Sequence, residues 1–285
     1  MNSETILRAT GLLVIEAINS NPNGDPDRES DPRQRPDGRG EISPVSFKRK
    51  LRDLVEDKEG PVWKKLSEKM NLKNDEFDIL EQRGRKRDEI KKELEGKAEK
   101  FIKRYWDGRL FGNTFLEDAM DKGTIKTGVV QFVMGLSTSP VLIDRQTNTN
   151  KAGVQEGKNQ GMAPLAYRVV EHGVYWMPFF VNPSMAHKSG CTKKDIDLMK
   201  ALIPYAYAHN RSAIRPFVEI RQAWYCEHQN PLGSCSDFAI IDALKPKKKG
   251  DVQQPSTCWA DYEPALGLSE ELKKKVSCKD LMQDI

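Results

Sequence analysis

The chain has 285 residues, of which 38% are apolar and 31% are charged, and its formal net charge is +4. This length allows one large domain or two small ones, and the composition predicts a modest core that carries polar insertions. A net charge this small excludes any argument for a nucleic-acid partner from overall charge, so such an argument must rest on local clusters.

The cysteines and the hydropathy pattern both predict a cytoplasmic protein. Five cysteines are present, an odd number, and they form no Cys-x-x-Cys pair. We therefore expect neither a disulfide framework nor a zinc site, which fits a reducing compartment. The sequence shows no secretory signal pattern and no run of 18 apolar residues, so we expect no membrane partner.

The first predicted elements are a strand, a long polar loop and a helix. Leu7 to Ile18 is rich in β-branched residues and predicts a mostly buried strand. Asn19 then opens a loop whose prolines and glycines exclude regular structure through about residue 41. Ser43 and Pro44 predict the start of a helix, with serine as the N-cap and proline at the first helical position.

The middle of the chain alternates insertions with strands. Residues 58–106 carry charges of mixed sign at helical spacing and predict a solvated helical insertion, with a direct RNA role as the alternative. Strand-like runs at 125–142 and 165–181 flank a polar segment, so we expect a protruding hairpin there.

The last third predicts a helix and two strands. Thr192, with Asp195 three residues later, is typical of a capped helix start. Phe217 to Cys226 predicts a strand, and Phe238 to Ile241 predicts a short one. A basic turn, a loop and a short helix at 270–275 follow. The order strand, helix, strand, strand, helix, strand predicts an α+β fold of the ferredoxin-like, RNA-recognition type (β-α-β-β-α-β).

Positive charge is concentrated in the first loop and the first helix. Between Arg28 and Arg52 there are eight Arg or Lys residues and four acids, so this segment carries 8 − 4 = +4, equal to the excess of the whole chain. Nearby glycines let the backbone approach a phosphate closely, and the helix start offers free N–H groups. This combination predicts a site for an RNA backbone. The alternative is that these cations only solvate one face of an amphipathic helix.

At these residues the sequence resembles a known family. The block Asn-Pro-Asn-Gly-Asp-Pro-Asp at 21–27 and the helix Ser-Phe-Lys-Arg-Lys-Leu-Arg-Asp at 46–53 resemble the CRISPR-associated backbone subunit of the Cascade surveillance complex, most like the type I-C form. That subunit belongs to the repeat-associated, RNA-recognition-like superfamily. The likeness continues at 110–112, 127–132, 165–168 and 209–213, so it covers nearly the whole chain, less surely 58–105 and the tail after 245.

The resemblance implies a palm, fingers and a thumb. The palm would comprise residues 1–57, 107–136 and 164–245, the helical fingers 58–106, the thumb hairpin 137–163 and a C-terminal extension 246–285. Copies would assemble with other Cascade subunits along one CRISPR RNA. Each copy would grip the RNA backbone while its thumb displaces a nucleotide at intervals, leaving guide segments free to pair with target DNA. The resemblance implies no catalysis, no cofactor and no metal.

The resemblance also implies RNA contacts at particular positions. The expected contacts are Asn21, Asn23, Gly24, Arg35, Arg39, Ser43, Ser46, Lys48, Arg49, Arg52, Gln131, Met162, Arg168 and Arg211. Met162 is expected to act as an aliphatic wedge, because residues 137–163 contain no aromatic side chain. Arg211 and its neighbour Arg215 could instead contact an adjacent subunit.

Two other functions remain open from the sequence. Related subunits of type III complexes cut target RNA with an acidic residue in the loop after the first strand, and Asp25, Asp27, Asp31 and Asp37 lie in that loop here. A metal-dependent endonuclease is therefore the runner-up. Aspartate beside glycine and proline is more typical of turns, so we expect these residues to shape the loop. The third hypothesis is a generic monomer that binds single-stranded RNA.

Overall fold

The computed structural model describes residues 5–86, 88–89, 92, 102–112, 127–150, 163–263, 265 and 267–284. Its strands are β1 (Ala9–Ser20), β2 (Arg39–Ile42), β3 (Val130–Phe132), β4 (Gly135–Pro140), β5 (Ile143–Asn150), β6 (Ala163–Val181), β7 (Phe217–His228), β8 (Lys247–Lys248), β9 (Tyr262–Glu263) and β10 (Val276–Asp280). Its α-helices are α1 (Pro44–Glu56), α2 (Pro61–Met70), α3 (Trp106–Phe111), α4 (Ala186–Ser189), α5 (Lys193–Leu202), α6 (Asp237–Leu244) and α7 (Glu270–Lys273). Short 3-10 turns occur at Pro26–Arg28, Pro183–Met185, Ile203–Tyr205, Trp259–Asp261 and Leu281–Asp284.

An antiparallel sheet forms the centre of the molecule, with the strand order β10-β7-β1-β6-β4-β2. The long strand β6 also pairs with β3 and with β5, while β8 and β9 form a separate ribbon. Between β1 and β3 the chain passes through α1, and between β6 and β7 it passes through α5. This arrangement is the ferredoxin-like order, so the predicted α+β class with an antiparallel sheet is confirmed.

Both faces of the sheet are covered. Alternate side chains of β1 point to opposite faces, so neighbouring residues of this strand enter different cores. Leu13 and Ile15 enter the main core, which they share with buried residues of α1, α2, α3 and α5. Leu12 instead packs against Ile240 and Ile241 of α6, and Val14 packs against Tyr262 of β9. The C-terminal part of the chain therefore closes the sheet face that lies away from α1.

The predicted strand at Phe238–Ile241 is wrong, because these residues lie within helix α6. Ile240, Ile241 and Leu244 are buried while Phe238 is exposed, and this spacing is helical. Four consecutive apolar residues fit a buried strand and a buried helix turn equally well. The edge strand β10 was not predicted, because the alternation in Val-Ser-Cys-Lys-Asp is only four residues long and contains a single β-branched residue; the strand pairs with β7.

The cysteines differ from the expectation in one respect. Cys226 of β7 and Cys278 of β10 are directly opposite each other and form a disulfide. Cys191, Cys235 and Cys258 are free. The two bonded residues are 52 positions apart in the chain, so only the pairing of the strands brings them together.

Two further predictions, a helical insertion at 58–106 and the absence of a membrane-spanning segment, are compared with the structure over the described residues. Within 58–106 the described residues include α2 and the start of α3, with turns and irregular backbone at 71–86 and helical residues at 88–89, 92 and 102–104. None of the helices formed by the described residues is long and apolar enough to cross a membrane.

Candidate nucleic-acid interface

The start of α1 is held in place by the first loop. The Asn23 side-chain oxygen accepts hydrogen bonds from the Ser43 N–H (2.8 Å) and from the Ser43 hydroxyl (2.7 Å). That hydroxyl in turn accepts the N–H of Ser46 (3.2 Å), so the predicted N-cap is confirmed. Asn23 and Ser43 therefore position the helix end, and both polar groups are already engaged in doing so.

The same loop is attached to the segment that precedes β7. The backbone N–H of Asn21 donates to the carbonyl of Ile214 (2.7 Å), and its side-chain amide donates to the carbonyl of Ser30 (2.8 Å). Asn21 is 3% exposed. Gly24 forms a backbone bridge with Pro32 at the neck of the loop. These residues thus organise the loop and bring it against residues 210–216.

The loop aspartates act within the fold. Asp25 accepts the N–H of Asp27, and Asp37 accepts the N–H of Arg39. Asp31 forms ion pairs with Arg145 of β5 (2.8 Å) and with Arg168 of β6 (3.2 Å). Chiefly through the Arg145 hydrogen bond, these pairs lower the pKa of Asp31. In the part of the chain that the structure describes, no group of three His, Cys, Asp or Glu residues is arranged to hold a metal ion.

Several cations expected to contact RNA are engaged with acids. Arg35 lies 3.1 Å from Glu41, and Arg39 lies 3.9 Å from Asp37. Arg168 is paired with both Glu29 and Asp31. Arg35 remains half exposed and can reach solvent, whereas Arg168 serves to fasten β6 to the first loop.

One flank of α1 is an ion-pair network. Arg52 is buried, and its side chain donates to the Asp107 carboxylate of α3 (2.9 Å) and pairs with Glu81 (3.0 Å). Arg49 donates to the carbonyl of Glu81 and lies 3.7 Å from Asp53. The expectation that Arg52 presents its charge to a phosphate does not agree with this geometry, because its donors are occupied inside the protein.

Lys48 also faces this flank but has no carboxylate at ion-pair distance among the described residues. Its ammonium lies 5.0 Å from the centre of the Phe111 ring, a cation–π contact. Burial, aided by repulsion from Arg52, lowers the pKa of the Lys48 amine. Lys48 is therefore closer to solvent than Arg52 and is only partly screened by its surroundings.

The other flank of α1 carries Lys50, a cation of the basic segment that is not among the expected RNA contacts. Lys50 is 4% exposed, and its ammonium lies 5.0 Å from the centre of the Tyr207 ring. Its carbonyl accepts the side-chain amide of Asn210 (3.2 Å). Ser46 and Lys50 are four residues apart, and this spacing in the sequence predicts that both lie on one face of the helix.

The remaining expected contacts are dispersed. Arg211 is exposed beside Asn210, so it lies with the first loop and α1. Gln131 of β3 pairs with Phe180, which pairs in turn with Thr10, whereas the first loop begins after Ser20. Ten strand residues separate these positions, roughly 33 Å, so Gln131 belongs to the opposite end of the sheet. Met162 lies outside the described residues.

Comparison with known proteins decides the family. A family model described as CRISPR-associated protein Cas7 matches residues 7–266. The chain belongs to the Cas7 family. A relative from Haloferax volcanii, named CRISPR-associated protein Cas7, is 27% identical over 226 residues, covering 70% of this chain and 63% of the relative. This chain therefore spans less than two thirds of the length of that relative.

Similar solved structures were also found. A chain in a structure titled "CRISPR RNA-guided surveillance complex, pre-nicking" is 16% identical with a TM-score of 0.48, covering 77% of this chain and 78% of that one. A chain in the "Type III-B Cmr-beta bound to cognate target RNA" structure is 13% identical with a TM-score of 0.39, covering 76% and 60%.

In this Cas7 family member, the cations of the first loop and α1 thus divide into two groups. Arg49, Arg52 and Arg168 are held by acids or carbonyls of the protein. Arg28 and Arg211 are exposed, and neither forms an ion pair with any described residue. The second group, together with the half-buried Lys48, is available to an external anion, whereas Lys50 is buried.

Proposed function

We propose that this chain is a non-catalytic backbone subunit of a type I CRISPR effector complex, most like the I-C form, and that it works in the cytoplasm. Copies of the chain polymerise along a CRISPR RNA together with other Cascade subunits. Each copy grips the sugar-phosphate backbone. The hairpin of β5 and β6 acts as the thumb that displaces nucleotides at intervals, which leaves guide segments free to pair with target DNA. The activity needs no cofactor.

The observation that carries this proposal is the meeting of the first loop, α1 and residues 207–215 in a member of the Cas7 family. Here the start of α1, with Lys48 and Lys50, lies beside the exposed Arg211, and none of these three cations has a carboxylate at ion-pair distance among the described residues. Such a surface neutralises phosphates without reading bases. That property suits a subunit that must accept a guide RNA of any sequence.

The residues named from the sequence take different parts in this proposal. Arg35, Arg39, Ser46, Lys48 and Arg211 are proposed to contact RNA, and the exposed Arg28 of the first loop joins them. Asn21, Asn23, Gly24 and Ser43 position the loop and the helix. Arg49, Arg52 and Arg168 hold the surrounding structure, Gln131 is set apart, and the wedge at Met162 stays a prediction.

Assembly along RNA is tested by the mass of the complex. The full chain is purified with guide RNAs of two lengths, and the mass of each particle is measured. We expect the number of copies to increase with RNA length. One copy per RNA at both lengths would instead support the generic monomer, and failure to bind RNA would overturn the proposal.

The backbone grip is tested by removing two unpaired cations. For Arg28→Ala combined with Arg211→Ala, we expect weaker binding to all RNA sequences alike. The slope of log affinity against log salt should fall by about 1.4, because each contact to a single strand contributes about 0.7. Binding is measured at several salt concentrations with two unrelated RNAs. A loss confined to one sequence would contradict a backbone grip.

Lys273→Ala is the matched control. Lys273 is an exposed lysine of α7, and it pairs with Glu270 rather than with the first loop. It precedes β10, where Val276 pairs with His228 at the far end of β7 from Phe217. The separation along β7 is 228 − 217 = 11 residues, roughly 36 Å. We expect this variant to bind RNA as the parent chain does.

The non-catalytic part of the proposal rests on the internal hydrogen bonds and ion pairs of the loop aspartates. It is tested by incubating the assembled complex with complementary target RNA and Mg²⁺. We expect intact RNA. Cuts at regular intervals that disappear in Asp25→Asn or Asp27→Asn would establish the endonuclease instead.

A further inference from the structure

The group of Lys50, Tyr207 and Arg215 between α1 and the segment before β7, called the pocket below, contains a largely buried cation with no carboxylate at ion-pair distance among the described residues. Lys50 is 4% exposed, yet its ammonium makes no hydrogen bond or ion pair with any described residue, and its contact there is the ring of Tyr207. Proteins normally pair the charge of a largely buried lysine with an acid. Lys50 therefore leaves beside Tyr207 a positive charge that no carboxylate of the described residues neutralises at ion-pair distance.

Two further donors in the same place are also unpaired. The Tyr207 hydroxyl and the Nε of Arg215 are buried, and neither has a hydrogen-bond partner. Each buried donor left without an acceptor costs about 1–3 kcal/mol. Two buried donors without an acceptor, beside the unneutralised Lys50 ammonium, fit a ligand that carries several acceptor oxygens.

The fold brings these three residues together through backbone contacts. Asn210 donates to the carbonyl of Lys50 (3.2 Å) and to the carbonyl of Ala206 (2.9 Å), which ties the turn after Tyr207 to α1. The Ile214 carbonyl, next to Arg215, is fastened by the N–H of Asn21 (2.7 Å). The pocket is thus attached to the first loop on one side and to α1 on the other.

We propose that Lys50, Tyr207 and Arg215 form a closed pocket that receives one phosphate group of the bound RNA and takes up a proton as the phosphate enters. A phosphodiester supplies two charged oxygens, which can accept hydrogen bonds from an ammonium, a hydroxyl and a guanidinium. This inference rests on the proposed function and adds to it a specific site whose affinity depends on pH.

The proton uptake follows from the surroundings of Lys50. Burial lowers the pKa of its amine to about 8, and repulsion from Arg215 and Arg83 acts in the same direction, while Asp53 opposes the shift. Burial raises the pKa of Tyr207, so its hydroxyl keeps its proton and remains a donor. An incoming phosphate favours the charged amine and therefore raises the Lys50 pKa. Above pH 8 the amine binds a proton together with the RNA.

The first experiment measures RNA affinity from pH 7 to pH 9.5 at constant ionic strength. For the parent chain we expect the dissociation constant for each bound subunit to increase above pH 8, by up to tenfold per pH unit. Lys50→Arg should lack this dependence because guanidinium stays charged. Lys50→Met should bind more weakly at pH 7 and show the same flat profile. Equal pH profiles for the parent chain and Lys50→Met would overturn the proposal.

The second experiment uses Tyr207→Phe, which removes only an unpaired hydroxyl. We expect RNA binding to weaken about 10–100-fold, in line with one lost hydrogen bond to a charged group, without a decrease in melting temperature. Tyr225→Phe is the matched control. Tyr225 is a buried tyrosine of β7 with Lys200 4.9 Å from its ring centre, and it lies toward the other end of β7. Equal RNA affinity for Tyr207→Phe and the parent chain would overturn the pocket.

A third measurement separates RNA phosphate from free phosphate. Inorganic phosphate is added to the chain without RNA, and its effect on melting temperature is compared between the parent and Tyr207→Phe. If the pocket variants respond differently to inorganic phosphate but bind RNA equally well, the site takes a free anion and the proposal fails. If all pocket variants bind RNA like the parent while the salt dependence persists, the pocket is wrong and the backbone grip stands. Absence of RNA binding altogether overturns both.

Discussion

The two flanks of α1 both bury cations, but they treat them in opposite ways. On one flank the Arg52 guanidinium is enclosed by Asp107 and Glu81. On the other flank the Lys50 ammonium is equally buried and faces an aromatic ring, with no carboxylate at ion-pair distance among the described residues. In a buried ion pair the two charges neutralise each other within the protein. A buried single charge has no such partner, so binding an anion stabilises it. The number of cations in a segment therefore says little about binding, and the number left unpaired says more.

The largest expected effect is on the paired flank. Arg52→Met would leave the Asp107 carboxylate, which is 1% exposed, without its cation. We expect the free energy of unfolding to fall by about 3–5 kcal/mol, as is typical when one partner of a buried pair is removed. Urea unfolding at pH 7 measures this. Arg52→Lys keeps the charge but loses the planar fork, so its loss should be smaller. A loss below about 1 kcal/mol for Arg52→Met would contradict a buried structural pair.

The next effect concerns Asp31, which neutralises two arginines at once. Arg145 and Arg168 are directly opposite each other across β5 and β6, where like charges repel. Asp31→Asn should lower the free energy of unfolding by about 1.5–3 kcal/mol at pH 7, because hydrogen bonds to a charged group are lost. Chemical denaturation of both proteins at pH 7 and pH 3 provides the comparison.

The pH dependence of this effect has a definite sign. The pKa of Asp31 in the folded chain is lowered below its ordinary value of 3.8, chiefly by Arg145. Its stabilisation is therefore complete above that ordinary value and is lost as the pH falls through the folded value. The difference between the parent chain and Asp31→Asn should shrink at pH 3. A difference that does not depend on pH would show that the charge of Asp31 is not responsible.

The third effect has the opposite sign and concerns the unpaired flank. The Lys50 pKa of about 8 in the folded chain lies below its ordinary 10.5, so the unfolded chain binds more protons between these values. The destabilisation is fully present below pH 8 and disappears as the pH rises toward 10.5. Lys50→Met should therefore stabilise the free chain at pH 7 by about 1–3 kcal/mol, and by less at pH 9.5.

Urea unfolding at both pH values, without RNA, measures this difference. Lys58 also has a pKa of about 8, owing to burial, but it is present in both proteins and cancels from the comparison. Its ammonium differs from that of Lys50 in donating to the Phe77 carbonyl (2.6 Å). If Lys50→Met were destabilising at pH 7, the ammonium would have an internal partner and the contrast between the flanks would fail.

The smallest effect is expected at an exposed, unpaired cation. Arg211→Ala should change the free energy of unfolding by less than about 0.5 kcal/mol, because surface substitutions away from caps and networks are usually that mild. Its effect on RNA binding is expected to be the larger of the two. A stability loss above 1 kcal/mol, measured by urea unfolding, would place Arg211 among the structural cations instead.

The parts of the fold that were predictable are those specified by neighbouring residues. The Ser43–Pro44 cap and the Thr192–Asp195 capping box appear where the sequence indicates, because both are hydrogen-bond patterns completed within three residues. The long strands β1, β6 and β7 were recognisable from their apolar runs. The strand β10 was not, since it depends on the edge of β7.

The charge pattern predicts a place for the candidate site but not its detail. The concentration of charge between Arg28 and Arg52 puts the site at the first loop and α1, and this stays a prediction. Whether each cation is free depends on acids far away in the chain, such as Asp107 for Arg52 and Asp31 for Arg168. The pocket around Lys50 depends on Tyr207 and Arg215, more than 150 residues later. Neither relation leaves a local pattern.

The ion pairs of Asp31 with Arg145 and Arg168 have a consequence for the spacing of subunits in the proposed filament. Asp31 forms ion pairs with both strands of the hairpin and so fastens the base of the hairpin to the first loop. The distance from the phosphate grip to the hairpin is then a fixed length carried by every copy. Identical copies laid end to end would divide an RNA into equal steps whatever its sequence. The geometry of a single subunit would then set the interval at which nucleotides are displaced along the RNA.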